Sequence, residues 1–145
     1  MELYIGGISQ GKLQFVCNKK NISEDSVEIC DGADCSPEEV FSKQIINHFH
    51  LMIKRLWTDG MMAVINKDSK DTLADPQDKA AALIEELIAK NPSAVIICNE
   101  VGYGIVPMDK TDRIYRETVG RCLCRLAEYS TSVERIVCGL GMKLK

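Results

Sequence analysis

The sequence predicts an α/β domain with a mainly parallel sheet, and three observations carry that prediction. Strand-like apolar runs alternate with helix-period segments along the 145 residues, the order that a parallel sheet with crossover helices requires. Residues 94–98, Ala-Val-Ile-Ile-Cys, form a continuous apolar run, the mark of a strand covered on both faces. The first apolar run, Leu3-Tyr4-Ile5, opens directly onto a glycine-containing loop that leads into a segment able to form a helix. No internal repeat, low-complexity tract or linker interrupts the chain, so residues 1–145 read as one domain.

Residues 2–5 give the first strand and residues 12–20 the first helix, with Leu13, Val16 and Cys17 on one face. Residues 18–26 are polar and loop-like, a short strand follows at 27–30, and Asp31-Gly32 is a turn signal. Ser36-Pro37-Glu38-Glu39 offers a serine cap, proline at the first helical position and glutamate three residues after the cap. One helix is expected from there to about Asp59, with Phe41, Ile45, Phe49, Met52, Ile53 and Leu56 as its apolar stripe and Gly60 as its stop. Residues 61–73 have a weak pattern and read as exposed loop across 66–72. Asp75-Pro76 starts the next helix, in which Ala80, Leu83, Ile84, Leu87 and Ile88 keep helical spacing until Asn91-Pro92. The strand at 94–98 ends in Asn99-Glu100, and a glycine-rich loop runs on to Pro107. A long helix at 111–129 turns Tyr115, Val119, Cys122, Leu123 and Leu126 inward; 134–138 reads as a last buried strand and 139–145 as a short basic tail.

Hydrophobic residues make up 46% and charged residues 27%, which fits a water-soluble globular domain with a real core. A net charge of −3 and a pI near 5.4 give no general attraction to nucleic acid or anionic lipid. No apolar run reaches the roughly 20 residues of a membrane span, and no signal-peptide succession opens the sequence; the cytoplasm is the default location. The seven cysteines (17, 30, 35, 98, 122, 124 and 138) are an odd number spread through apolar segments. They read as free thiols, with Cys30, Cys98 and Cys138 as small buried hydrophobes, rather than a disulfide framework. Cys122 and Cys124 point about 200° apart on a helix and do not chelate together.

Chemistry concentrates at the strand ends. Gly6-Gly7-Ile8-Ser9-Gln10-Gly11-Lys12-Leu13 matches the phosphate-loop pattern G-x-x-x-x-G-K-[S/T] at every position but the last. Glycines let the backbone wrap phosphate oxygens, the helix N-terminus presents N–H groups, and Lys12 adds charge for the β/γ-phosphates. Leu13 stands where a hydroxyl would bind magnesium. Glu100 ends the buried strand, where an acid can serve magnesium or the attacking group. Asp34, with Asp31 nearby, is a second candidate for the metal or the acceptor hydroxyl, although Asp-Gly turn chemistry accounts for much of that segment. No set of residues defines a metal site by spacing; magnesium is expected near Glu100 or Asp34. On one continuous helix His48 and His50 lie on opposite sides of Phe49, about 200° apart, so either is a lone base, a phosphoryl acceptor or a residue beside the core. Arg113, Arg116, Arg121 and Arg125 decorate the last long helix, one as a phosphate contact or all as a solvated face.

The run Asn99-Glu100-Val101-Gly102-Tyr103-Gly104-Ile105-Val106-Pro107 resembles the N-E-V-G-x-G-I-V-P signature of the adenosylcobinamide kinase/adenosylcobinamide-phosphate guanylyltransferase family. The loop at 6–12 is similar to that family's G-G-x-x-S-G-K-S, Asp34-Cys35 with Asn47 to its D-C…S-N segment, and Gly120-Arg121 and residues 139–145 to its A-G-R helix and G-x-x-x-K-x-K close. The resemblance implies a P-loop NTPase-like three-layer domain that uses ATP or GTP with Mg²⁺, a corrinoid acceptor, and homo-oligomeric assembly. It implies phosphorylation of the aminopropanol hydroxyl of adenosylcobinamide, with Gly6, Gly7, Ile8, Ser9, Gln10, Gly11, Lys12 and Leu13 around the triphosphate and Glu100 and Asp34 at magnesium or the hydroxyl. The family's guanylyl transfer runs through a histidine in a segment between the loop helix and D-C. Here that interval, residues 18–30, holds no histidine, and the transfer is not carried over. Two further readings stand beside the cobinamide kinase: a nucleotide- or corrinoid-binding module with reduced chemistry, and a P-loop kinase of another small alcohol.

Overall fold

The computed structural model describes residues 1–58 and 75–145. In chain order the elements are β1 (Glu2–Gly6), α1 (Lys12–Lys20), β2 (Ile29–Asp31), α2 (Pro37–Ser42), β3 (Ile45–Asn47), α3 (Phe49–Thr58), α4 (Pro76–Lys90), β4 (Val95–Asn99), α5 (Lys110–Tyr129), β5 (Ser132–Val137) and β6 (Leu140–Lys143). The strands form one sheet in the order β2-β3-β4-β1-β5-β6. Every neighbouring pair runs parallel except β5 and β6. This is the α/β, mainly parallel architecture that the alternating pattern predicts.

The apolar β4 run divides its side chains between two layers. Val95 and Ile97 join Tyr4, Val16, Ile45 and Ile136 on the α1 face. Ile96 and Cys98 join Val40, Phe49, Met52, Leu83, Leu87, Val119 and Leu126 on the face covered by α2 to α5. Each such side chain contributes about 1.5–3 kcal/mol by leaving water, which is why this strand carries no polar residue until Asn99. The chain leaves β1 toward β2, returns through β3 and β4, and then passes β1 to reach β5. That reversal opens a crevice at the carboxyl ends of β1, β3 and β4, the place where such sheets take ligands.

The single helix expected from residue 36 is not formed. The cap is as predicted: Glu39 N–H donates to Ser36 Oγ at 3.3 Å, and Ser36 N–H donates to Glu39 Oε2 at 2.8 Å. Yet α2 stops at Ser42, and Ile45–Asn47 inserts as β3 between β2 and β4. Ile45 and Ile46 are both fully buried, on opposite faces of the sheet. A helix with one apolar stripe cannot bury two consecutive residues in two layers, whereas a strand does so by its pleat. His48, at φ +48°, makes the corner from β3 into α3. The expected end at Asp59, the Gly60 stop and the loop at 61–73 lie outside the described residues.

The basic tail is also corrected. Cys138 and Gly139 have φ of +51° and +76°, a two-residue hairpin turn that folds β6 back antiparallel on β5. Cys138 is exposed there, not buried; Cys30 and Cys98 are buried, and all seven thiols are free. Among the described residues no helix is long and apolar enough to cross a membrane.

Candidate functional site

The glycine loop joins β1 to α1 at the crevice. Gly6 has to be glycine, because a Cβ there would collide with the carbonyl oxygen of Ile136 on β5. Gly11 caps α1 in the left-handed conformation (φ +75°, ψ +25°) with no side-chain acceptor, so the orphan N–H groups of the first helical turn remain available to an anion. Lys12 is the first residue of α1 and is 7% exposed. Its Nζ donates to the Gly7 carbonyl at 2.7 Å, folding the side chain back along the loop. Burial lowers the Lys12 pKa, and the nearby Cys98 and Glu100 work in the opposite direction. The loop is tied to the far hairpin as well: Gln10 Oε1 accepts from Cys138 N–H at 2.7 Å, and Gln10 O accepts from Gly139 N–H at 3.0 Å.

Residues 8–14 line a cleft of about 300 Å³ together with Glu24, Asn47, His48 and Asn99. Three of these stand at the ends of β3 and β4, so the loop and the strand termini form one site. Leu13 lines the cleft while packing against the α1-face core, which gives an apolar reason for leucine where a hydroxyl was expected.

The break at residue 48 brings the two histidines together. Their rings are 5.9 Å apart and edge-to-face, not on opposite sides of a helix. His48 Nδ1 lies 2.8 Å from Asp31 Oδ2 and 3.2 Å from the Asn47 side-chain amide nitrogen. His50 is buried and engages Asn99 with both ring nitrogens: the Asn99 N–H donates to Nδ1 at 3.4 Å, and the Asn99 side-chain amide is 3.0 Å from Nε2. Burial pushes the His50 pKa down to about 4, assisted by His48 and Lys12.

Glu100 sits beside the loop, its N–H donating to the Gly6 carbonyl at 3.0 Å. Its carboxylate is held by Arg135 of β5, with Nε and a terminal nitrogen 3.2 and 3.1 Å from Oε2, and the Arg135 guanidinium lies over the Tyr103 ring at 5.5 Å. Asp34 is exposed on the turn after β2 and is not among the residues lining the cleft; Glu24 is the acid that lines it, and Asp31 touches it through His48. The helix arginines do not line the cleft either. Arg113 donates to the carbonyls of Pro107 and Met108, and Arg116 to those of Gly102 and Ile105, which shapes the 99–107 run from behind. Arg121 and Arg125 pair with Glu117, Glu85 and Glu128.

Sequence reasoning missed three parts of this arrangement: the Asp31–His48 pair, the His50–Asn99 pair and Arg135. The available signal was Ile45-Ile46-Asn47-His48, an apolar pair followed by two polar residues, the same grammar as Ile97-Cys98-Asn99-Glu100. Among the described residues no group of three or more His, Cys, Asp or Glu side chains is arranged to hold a metal ion. The carboxylates available to magnesium are therefore two: Glu24, which lines the cleft, and Glu100, which is not among the lining residues but lies near Lys12. That is sufficient for an ion carried mainly by phosphates and water.

Comparison with known proteins covers the part of the site built by β3, β4 and β5. The family model described as cobinamide kinase / cobinamide phosphate guanyltransferase matches residues 43–144, well over half of the chain. That span includes Asn47, His48, His50, Asn99, Glu100 and Arg135, and leaves the 6–13 loop and Asp31 outside it. The bifunctional adenosylcobalamin biosynthesis protein CobU of Salmonella typhimurium is 43% identical over 51 residues, covering 35% of this chain and 28% of the relative. The protein of the same name from Escherichia coli is 40% identical over 68 residues, covering 44% of this chain and 38% of the relative. The matched segments thus span well under half the length of either relative. On the family match, the chain belongs to the cobinamide kinase / cobinamide phosphate guanyltransferase family.

Proposed function

We propose that this chain is a phosphotransferase of cobalamin assembly, which moves the terminal phosphoryl group of ATP or GTP to the aminopropanol hydroxyl of a cobinamide. The observation that carries the reading is the joining of the 6–13 loop, with its buried Lys12, to the ends of β3 and β4 in one cleft. Loop N–H groups and the α1 N-terminus hold the triphosphate; Lys12 leaves the Gly7 carbonyl for the β/γ-phosphates. Magnesium, when bound, would neutralise phosphate charge, held by Glu100 beside the loop or Glu24 in the cleft. The exposed Ile105, Val106 and Met108 offer an apolar rim to a bulky corrinoid. Catalysis is then positioning and charge stabilisation.

The test is direct. Purified protein with ATP or GTP, Mg²⁺ and cobinamide should yield a product heavier by one phosphoryl group, and Lys12→Ala should reduce kcat/KM by about 100-fold or more. Absence of product from the wild-type protein, or undiminished activity in the variant, overturns the reading. A binding module without transfer is the second reading. It is favoured by the Glu100–Arg135 ion pair and by Leu13, both of which withhold a ligand from magnesium. That reading predicts nucleotide affinity indifferent to Mg²⁺.

A further inference from the structure

We propose that Asp31 and His48 form a base dyad, in which His48 Nε2 takes the proton of the acceptor hydroxyl; the proposal rests on the transfer reading above. A carboxylate only accepts, so the shorter 2.8 Å contact with Asp31 Oδ2 favours hydrogen on His48 Nδ1 over acceptance there from the Asn47 amide at 3.2 Å, which leaves the lone pair on Nε2. The other oxygen of Asp31 is fixed too, accepting from Ala33 N–H at 2.9 Å. Both ends of the dyad are therefore set, the relation in which a base is oriented by a third group.

The backbone fixes the dyad further. Gly32 N–H donates to the Asn47 carbonyl at 2.8 Å, and a Cβ on Gly32 would come within 2.6 Å of the His48 carbonyl oxygen. The turn after β2 thus lies against the corner after β3 so closely that a side chain at 32 would collide. His48 itself holds φ +48°, a conformation costly for a non-glycine residue that persists where the surroundings impose it. Its side chain is 44% exposed and lines the cleft with Lys12 and the loop. His50 is the contrast. Both its nitrogens are engaged by Asn99 and it is buried, so it has no lone pair to offer.

In the step, Nε2 removes the hydroxyl proton as the hydroxyl oxygen forms its bond to the terminal phosphorus. The bond from that phosphorus to the bridging oxygen breaks, and its electron pair leaves on the nucleoside diphosphate. Asp31 holds the resulting imidazolium until the proton passes to water. His48 is the catalytic base and Asp31 its positioning residue.

The experiment uses the full chain with ATP, Mg²⁺ and cobinamide, and the variants His48→Gly, Asp31→Asn and their combination. Glycine suits the positive φ at 48, and nucleotide affinity within about twofold of wild type reports an intact loop. His48→Gly should lower kcat by about 100-fold or more, and added imidazole should restore it at least about tenfold. Asp31→Asn should lower kcat in the wild-type background and cost nothing in the His48→Gly background, because it acts through the ring. Turnover by wild type with His48→Gly unaffected overturns the dyad alone. So does a loss that imidazole fails to rescue, or an Asp31→Asn effect that adds in full. No turnover by wild type overturns the transfer reading and the dyad together.

Discussion

His50 carries a proton cost that the folded chain avoids by keeping the ring neutral. Its pKa is about 4 in the fold, through burial first and then the charges of His48 and Lys12, against about 6.5 when unfolded. Between those values the unfolded chain binds a proton that the folded chain does not, so stability rises with pH across the window. The full contribution is present above pH 6.5 and is lost as pH falls toward 4, on the order of 3 kcal/mol. Urea unfolding at pH 7 and pH 4.5 should show this loss in the wild-type protein and a much flatter profile in His50→Gln; equal slopes would remove His50 as its source. The residue scale also shows what sequence can carry. Gly6, Gly11 and Lys12 fall within seven consecutive residues, so the loop pattern is legible as a string. Asp31 and His48 are 17 residues apart, and only the pairing of β2 with β3 makes them neighbours.

At the scale of elements, local grammar sets boundaries well and fails where burial overrides it. The caps at Ser36 and Asp75 and the stop at Asn91 follow from side-chain chemistry that needs no partner. The β3 insertion does not, because residues 41, 45, 49, 52, 53 and 56 satisfy helical spacing whether or not a strand intervenes. Asn91 shows an element end serving two masters. Its N–H closes α4 on the Leu87 carbonyl at 2.9 Å, while its buried side chain donates to the carbonyls of Val40 and Lys43, at 3.3 and 2.8 Å, where α2 ends. Removing that amide leaves two carbonyls short of a donor away from bulk water. Asn91→Ala should cost about 2 kcal/mol of unfolding free energy by denaturant titration, and a loss under about 0.5 kcal/mol would mean that water replaces it.

At the scale of the whole molecule, the site is assembled from both ends of the sequence. The alternation of strands and helices told the sheet's class in advance. It did not tell that the β5–β6 hairpin, read as a tail, reaches back to hold the loop at Gln10. Gln10→Ala should weaken nucleotide binding by about fivefold, equal to about 1 kcal/mol, with the fold retained; titration calorimetry beside a denaturation curve separates the two effects, and unchanged affinity would make the tether ornamental. The contact joins residues 128 positions apart. The loop is therefore held by a residue that follows it by nearly the whole domain, and the latch exists only once the β5–β6 turn is seated. A chain interrupted before the hairpin carries the glycines and the lysine but not their set geometry. Any change that unseats the β5–β6 turn from β1's side of the sheet loosens the loop at Gln10 from a distance.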